Sequence, residues 1–583
     1  MRVITASRTQ QLIVLVLMAA LLARLAQVLL GLAVLSPLDT VDLLHDDAYY
    51  YLGIARSIAS GEGSSFGGVV QTNGYQWLWQ MILAAQSWLL DNDRHLLFST
   101  TAVSGYLLTV IVAILCLRTL PANTSEFRKA MLTGLLLAGF AYREVFWHGM
   151  ESTLFVVLFP WLIAIIEGRQ TRPWLIALCF VLLPLARLDA LALIGATYLV
   201  WFFRQRGRLS LQQLMPAGVV ILSMAAYASF NQHYFDTPLP VSGLAKAVDS
   251  PRFANFGIIH YYINLSAGVA LSVWLAVELW LRRVPTPTTF LSSIAVMAIS
   301  ALVQYGYYAC FSGWPLWPWY LYLEAGLVMA VYARIFILLP QLLHQRPTLA
   351  IALLAGVLAF SLLGATRNVM IRPLLISATQ ILCSQHQLCL PELQRIRSYG
   401  AANLELLNSQ RQLLHGKTIA MGDRAGSFGY WLPDDSKLLQ TEGLVGNLTF
   451  LQARLAGTGE AFVANAGVDL FVVDRQKDTR ITWQGLPIVA LAEPVQGRVA
   501  NRGAMFFCFP ATAELSYRRS GAYSHQRIYD FHARIPCPSE AHTLLRATET
   551  GIFGLRRLAV SSEYGDGSSI MAQLEERDRR AMR

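Results

Sequence analysis

Two adjacent carboxylates beside an imidazole, His45-Asp46-Asp47, open a stretch in which Tyr51, Ile54, Ala55 and Ile58 recur at helical spacing, with Gly61 as a stop. Acids at the start of a helix are ordinary capping residues. At a membrane surface, however, two neighbouring acids are costly unless they are paired or used. A carboxylate placed there can accept a proton from a hydroxyl or help hold a divalent cation. Whether Asp46 and Asp47 cap or react depends on the elements around them.

Those elements are set by composition. The chain has 583 residues, 55% hydrophobic and only 14% charged, with a mean hydropathy of +0.44. Soluble domains carry roughly a quarter charged residues. The chain therefore reads as a polytopic α-helical membrane protein, which excludes a disordered, coiled-coil or small disulfide-stapled chain. The net charge of +10 fits cytoplasmic loops and lipid headgroups, and no nucleic-acid partner is expected. Residues 1–365 are apolar runs near the ~20 residues that a bilayer span needs. From 366 to 583 these runs stop, and the chain reads as a soluble α/β domain.

The first run, Leu12 to Leu35, is longer than a signal-peptide core and is expected to be a retained span, with Arg2 and Arg8 on the cytoplasmic side. Residues 36–94 then lie outside. Tyr75–Leu90, rich in tryptophan, is expected to lie along the outer interface; if it crossed, Arg118, Arg128 and Lys129 would fall outside. The basic loops 118–129, 167–173, 204–208, 282–283 and 340–347 then share the inner face. This gives roughly eleven spans, an inside N-terminus and an outside C-terminal domain.

Five segments together carry a resemblance: HDDAYYYLGIARSIASGEG with TNGYQWLW; GMESTLF (Gly149 to Phe155); LARLDAL (Leu185 to Leu191); FDTPLPVSGLAK (Phe235 to Lys246); and GDRAGSFGYW with TEGLVGN (Gly422 to Asn447). In this order they resemble the GT-C superfamily of polyprenyl-phosphate-sugar glycosyltransferases, its arabinofuranosyltransferase-like branch in particular. Two positions depart from that pattern: Trp77 stands where a proline is usual, and Asp236 where a glycine is usual.

The resemblance implies a GT-C fold with interfacial helices in the first outside loop. It also implies transfer of a sugar, arabinofuranose by preference, from a polyprenyl-phosphate donor to a hydroxyl. The acceptor would be an envelope glycan, a lipid or a surface protein such as a pilin. The protein would be multi-pass in the cytoplasmic (inner) membrane, with its active site and C-terminal domain facing the periplasm. Phosphate is a competent leaving group, so such an enzyme needs a base for the acceptor and cations for the phosphate. One of Asp46 and Asp47 is then the base. If a divalent cation (Mg or Mn) takes part, the same pair would hold it. Lys246, Arg187 and Arg252 are the candidate phosphate-binding cations. Arg187 and Asp189 can equally pair with each other, and Lys246 can snorkel to headgroups. Further candidates are His45, Tyr50, Asn73, Tyr75, Glu151, Asp189, Trp319 and Tyr320. The outside aromatics suit either a sugar platform or a membrane belt.

In the tail, Val468 to Val473, Pro487 to Ala492 and Met505 to Phe509 read as buried strands. The Gly422–Gly429 stretch lacks the Lys-Ser/Thr of a phosphate loop. Cys383, Cys389, Cys508 and Cys537 are an even set, fitting two disulfides in an oxidising compartment; Cys383–Cys389 with Cys508–Cys537 is one of three pairings. Two other activities stay open: a polyprenyl-phosphate-hexose transferase of mannosyl or lipid-A type, and a transporter or flippase. Against the latter, the sequence has no repeat of its two halves. The topology makes a direct expectation. A cysteine placed at Ala122 should be labelled only from the cytoplasm, and labelling by an impermeant reagent from outside would overturn the loop assignment.

Overall fold

The computed structural model describes residues 2–119, 125–247, 289–312, 316–345, 399–422 and 424–474, positions 347, 348, 351 and 355, and the strand segments 479–483, 486–491, 505–508, 515–520 and 526–532. Helices run in the order α1 (Arg2–Val34), α2 (Pro37–Thr40), α3 (Asp46–Ala59), α4 (Trp77–Leu89), α5 (Arg94–Thr119), α6 (Ser125–Ala141) and α7 (Arg143–Phe146). They continue with α8 (Phe155–Ile166), α9 (Pro173–Ala186), α10 (Leu191–Arg204), α11 (Leu211–Phe235), α12 (Val241–Lys246), α13 (Thr289–Phe311) and α14 (Tyr322–Gln345). The tail contributes α15 (Tyr399–Ser409), α16 (Arg411–Leu414), α17 (Ala425–Trp431), α18 (Leu448–Leu455) and α19 (Gly459–Asn465).

Among the described residues five stretches are long and apolar enough to cross a bilayer: Gln11–Val34, Arg94–Leu115, Leu211–Phe235, Ser292–Phe311 and Pro318–Leu339. Three shorter apolar helices, Lys129–Ala141, Glu151–Ile166 and Pro173–Ala186, accompany them. The protein is an integral membrane protein. The expected span before the basic loop 204–208 is α10, a helix of 14 residues, and the one between residues 257 and 282 lies outside the described residues. At 13 residues, α4 is about 20 Å long and falls short of the ~30 Å hydrocarbon core. It buries Trp79, Leu83 and Ala84 and exposes Ile82, Trp88 and Leu89.

Over residues 325–333 helix α14 is apolar all round because it is surrounded by protein: Ala325, Val328, Ala330 and Val331 have no exposed surface. Glycine permits the close approach. A Cβ on Gly134 of α6 would stand 2.6 Å from the Met329 carbonyl oxygen, and one on Gly326 would stand 2.8 Å from the Phe159 ring. The Glu324 carboxylate inside this core is paired, as burial requires. Glu324 accepts hydrogen bonds from Tyr142, at 2.5 Å, and from Tyr305.

The chain forms two compact units. One comprises Met1–Ala48, Gln76–Ala228 and Ser250–Leu390; the other comprises Tyr49–Tyr75, Ser229–Asp249 and Pro391–Arg583. This differs from a linear division at 365/366, a boundary that lies outside the described residues. The reason is that two segments from between the apolar runs belong to the tail's own fold. Its main sheet has the order β2-β1-β3-β8-β7, with β1 (Thr418–Met421), β2 (Lys437–Gln440), β3 (Leu470–Asp474), β7 (Leu515–Ser520) and β8 (Gln526–His532). β1 pairs in parallel with β2 and β3, and the last two strands run antiparallel. A separate antiparallel sheet has the order β4-β5-β6, with β4 (Thr479–Trp483), β5 (Leu486–Leu491) and β6 (Met505–Cys508). All three strands expected from the sequence are present, shifted at their ends by one or two residues. Cys383, Cys389 and Cys537 lie outside the described residues, as does the side chain of Cys508.

Candidate functional site

After α1 the chain turns through α2 and a short 3-10 turn, Val41–Leu43, and becomes extended at Leu44. Gly149 makes that path available: it sits at φ +79, and a Cβ there would stand 2.5 Å from the Leu44 side chain. The first two sequence motifs thus meet backbone to backbone. His45 N–H donates to the His148 carbonyl at 3.2 Å, and the two imidazoles stack at 4.8 Å. Trp319 flanks the other side of His45, also at 4.8 Å.

His45 Nε2 lies 3.0 Å from the Glu144 carbonyl oxygen. A carbonyl only accepts, so Nε2 carries the proton and Nδ1 keeps a lone pair. Burial pushes the pKa of His45 down, against the raising effect of the Glu144 carbonyl. Burial and then the His45 neighbour push His148 well below its ordinary value. Both rings are therefore neutral at pH 7. With His45 held in this way, the next two residues, Asp46 and Asp47, form the first turn of α3. Both are half-buried. The helix N-terminus favours their negative charge, and adjacent helical positions aim them about 100° apart.

The second centre is Arg187. Pro184 near the end of α9 and the extended backbone of Arg187 (φ −156) break the helix, and a 3-10 turn, Leu188–Ala190, leads into α10. Arg187 Nε and Nη2 donate to the two oxygens of Asp189 at 3.0 and 3.1 Å. Nη1 donates to Glu151, and Nη2 also reaches the Tyr308 hydroxyl at 3.3 Å. The guanidinium lies over the Tyr320 and Tyr322 rings at 4.8 and 4.9 Å. Asp189 also accepts from Gln304, Tyr308 and Tyr322 at 2.8, 3.0 and 2.9 Å. Burial pushes the Asp189 carboxyl up, but the Arg187 charge and these donors outweigh it and hold the pKa below the ordinary carboxylate value.

Arg187 is thus engaged by two acids and two aromatic faces, and it is 3% exposed. Of the two readings of Arg187, pairing with Asp189 is the one seen here: the guanidinium holds together Glu151 and Asp189, and so the ends of the segments that carry them. Trp319 and Tyr320 join the two centres, since the Trp319 and Tyr320 rings are 6.0 Å apart. His45, Glu151, Arg187, Asp189, Trp319 and Tyr320 therefore form one contiguous group.

A third cluster belongs to the other unit. Asn73 Nδ2 donates to Asn231 Oδ1 at 2.9 Å and to the Leu239 carbonyl at 3.2 Å. Its Oδ1 accepts from the Val241 N–H at 3.0 Å. The Asn73 side chain therefore clamps the proline loop at the start of α12, whose last residue is the half-buried Lys246. Asp236 stands at φ +59, a left-handed conformation that glycine adopts without strain and Asp tolerates. Tyr75 is buried and accepts from Ser64 at 2.9 Å. Burial raises its pKa and the Ser64 bond lowers it in part. Tyr50 packs edge-on against Phe66 at 4.8 Å. Arg252 lies outside the described residues.

Sequence reasoning missed Gln304 and Tyr322, because both sit within apolar runs where nothing separates them from core residues. Among the described residues no three His, Cys, Asp or Glu side chains converge as metal ligands. A cation at Asp46 and Asp47 would take its other ligands from substrate phosphate and water, as magnesium commonly does.

The chain is similar to the crystal structure of ArnT from Cupriavidus metallidurans bound to undecaprenyl phosphate, with 14% identity, a TM-score of 0.45 and coverage of 79% of this chain and 93% of that chain. It is also similar to the Archaeoglobus fulgidus oligosaccharyltransferase tethered to an acceptor peptide, with 12% identity, a TM-score of 0.28 and coverage of 77% and 69%. No family model and no curated protein matches it.

The half-buried histidine pair makes the structure sensitive to acid. An unfolded histidine binds a proton near its ordinary pKa of 6.5, whereas the folded pair binds one only at lower pH. Stability is therefore fully present above about pH 6.5 and is lost as pH falls through the folded values. Asp189 keeps its charge across that window. The apparent melting temperature of the detergent-solubilised chain should fall between about pH 7.5 and pH 5.5. The His45→Asn/His148→Asn double variant should show a flatter slope; an unchanged slope would remove the pair as its cause.

Proposed function

We propose that the protein transfers a sugar from a polyprenyl-phosphate donor to an acceptor hydroxyl at the outer face of the cytoplasmic membrane. The observation that carries this reading is the acid pair in the first turn of α3, directly after an anchored, neutral His45. The five ordered motifs support it, and their likeness to the arabinofuranosyltransferase-like branch favours arabinofuranose. The acceptor class remains an envelope glycan, lipid or surface protein. In this mechanism, one of Asp46 and Asp47 takes the proton from the acceptor hydroxyl as its oxygen bonds to the anomeric carbon. The bond from that carbon to the phosphate oxygen breaks, and polyprenyl phosphate leaves with the electron pair. Lys246, the last residue of α12, whose start is stiffened by Pro238 and Pro240 and clamped by Asn73, neutralises the departing phosphate.

Two sets of variants test these roles. Asp46→Asn and Asp47→Asn keep size and capping capacity, so both should fold. The variant lacking the base should lose roughly 10²–10⁴-fold in transfer rate; full activity in both would make the pair structural. For Lys246→Ala, turnover measured against donor concentration should fall, with partial recovery in Lys246→Arg. Identical kinetic constants in wild type, Ala and Arg forms would assign Lys246 to lipid headgroups instead.

A further inference from the structure

The fold of the tail contains pieces of the outside loops, and their contacts are unusually close. Leu438 N–H of β2 donates to the Gly67 carbonyl at 2.9 Å, and Gly68 forms a parallel bridge with Leu438. Gly67 is at φ +76, and a Cβ there would stand 2.5 Å from the Leu438 carbonyl oxygen. Val69 and Val70 pack on the core made by Leu439, Phe450, Phe471 and Phe507. A Cβ on Gly74 would stand 2.0 Å from the carbonyl oxygen of Leu444, in the TEGLVGN segment. Helix α12, which ends in Lys246, packs on α18.

Another close fit is at Phe66, which is 2% exposed. Its ring lies against two glycines on different helices: a Cβ on Gly53 of α3 would stand 2.6 Å from it, and a Cβ on Gly429 of α17 also 2.6 Å. Glycine weakens a helix, so two helical glycines facing one ring mark an approach that no other residue permits. The wedge lies between the body of α3 and the GDRAGSFGYW helix.

We propose that the C-terminal domain is a positioning element for the reaction: through Gly429 and Phe66 it sets the axis of α3, and hence the place of Asp46 and Asp47. This rests on the sugar-transfer reading above. Asp47 is six residues from Gly53, about 9 Å along the helix. A tilt of about 6° at the wedge moves the carboxylate by about 1 Å, a misplacement that can cost about 100-fold in rate. The Gly74–Leu444 approach and the Asn73 clamp hold the Lys246 loop to the same domain. Phe66 and Gly429 are positioning residues, since neither needs to touch substrate. A tail that served only as a carbohydrate-binding module would act on acceptor affinity instead.

The test uses the full-length protein in detergent or vesicles, with activity expressed per folded molecule. Gly429→Ala should lower kcat about 10-fold or more while leaving KM for donor and acceptor unchanged. The new methyl would meet the Leu438 side chain, 2.7 Å from the Cβ position, as well as the Phe66 ring, so adding Phe66→Leu, which removes the ring alone, should restore part of that loss. Amide hydrogen exchange across residues 46–59 should quicken in Gly429→Ala and slow again in the double variant. If Gly429→Ala does not fold, the comparison is Phe66→Leu against wild type: loosening the wedge should speed exchange over the same residues and lower kcat. Unchanged exchange in α3, or a rise in acceptor KM with kcat intact, would overturn the proposal. A wild-type protein that transfers no sugar, yet shows the exchange coupling, would defeat the transferase reading and leave the coupling of α17 to α3 standing.

Discussion

Arg187 is the group on which the site in the first unit depends. A guanidinium 3% exposed in a membrane protein cannot be left unpaired, because removing one partner of a buried pair costs about 3–5 kcal/mol. Its donors therefore dictate where Glu151, Asp189 and Tyr308 stand, and the aromatic rings of Tyr320 and Tyr322 pack against its face. These residues come from the segment before α8, the α9–α10 turn, α13 and the start of α14. One charge thus ties together four places in the chain that differ widely in sequence position. From Tyr320 the constraint passes through Trp319 to His45, and His45 sets the start of the helix that opens with Asp46 and Asp47.

The neutral histidines fit this arrangement. A charged imidazole between Trp319 and His148 would need a partner of its own, and the Glu144 carbonyl supplies only a hydrogen-bond acceptor. The carboxylate of Glu324 is also held within the helical core, where two tyrosine hydroxyls donate to its two oxygens.

The second unit solves a different problem. Loops outside a membrane have few apolar contacts of their own, and irregular backbone is ordered only when its polar groups find partners. The first loop finds them by joining a soluble sheet, through Leu438 and Gly67, and by laying Val69 and Val70 on that sheet's core. The proline loop finds them in the side chain of Asn73, which donates to the Leu239 carbonyl and accepts from the Val241 N–H. Glycines mark the places where backbone meets backbone, at Gly67 and Gly74, because a Cβ there would overlap a carbonyl oxygen.

Much of this was legible in the amino-acid chain. Hydropathy alone identified the membrane class and the α1 span, since burial in lipid needs a long uninterrupted apolar run. The α/β character of the tail showed in short strand patterns such as VDLFVV, and the acid pair showed because two charges beside a His at the edge of an apolar run demand an explanation. Other features depended on distance between elements, which no local pattern encodes. Arg187 read either as a phosphate cation or as the partner of Asp189, and only the tertiary structure adds Glu151, Tyr308 and Tyr322 around it. Gln304 and Tyr322 were indistinguishable from core residues until Asp189 was found between them. The compact units do not follow the linear order of the chain, because Asn73, Gly67 and Gly74 make their contacts with residues more than 150 positions away. Composition changes along a sequence, but packing brings together what composition keeps apart.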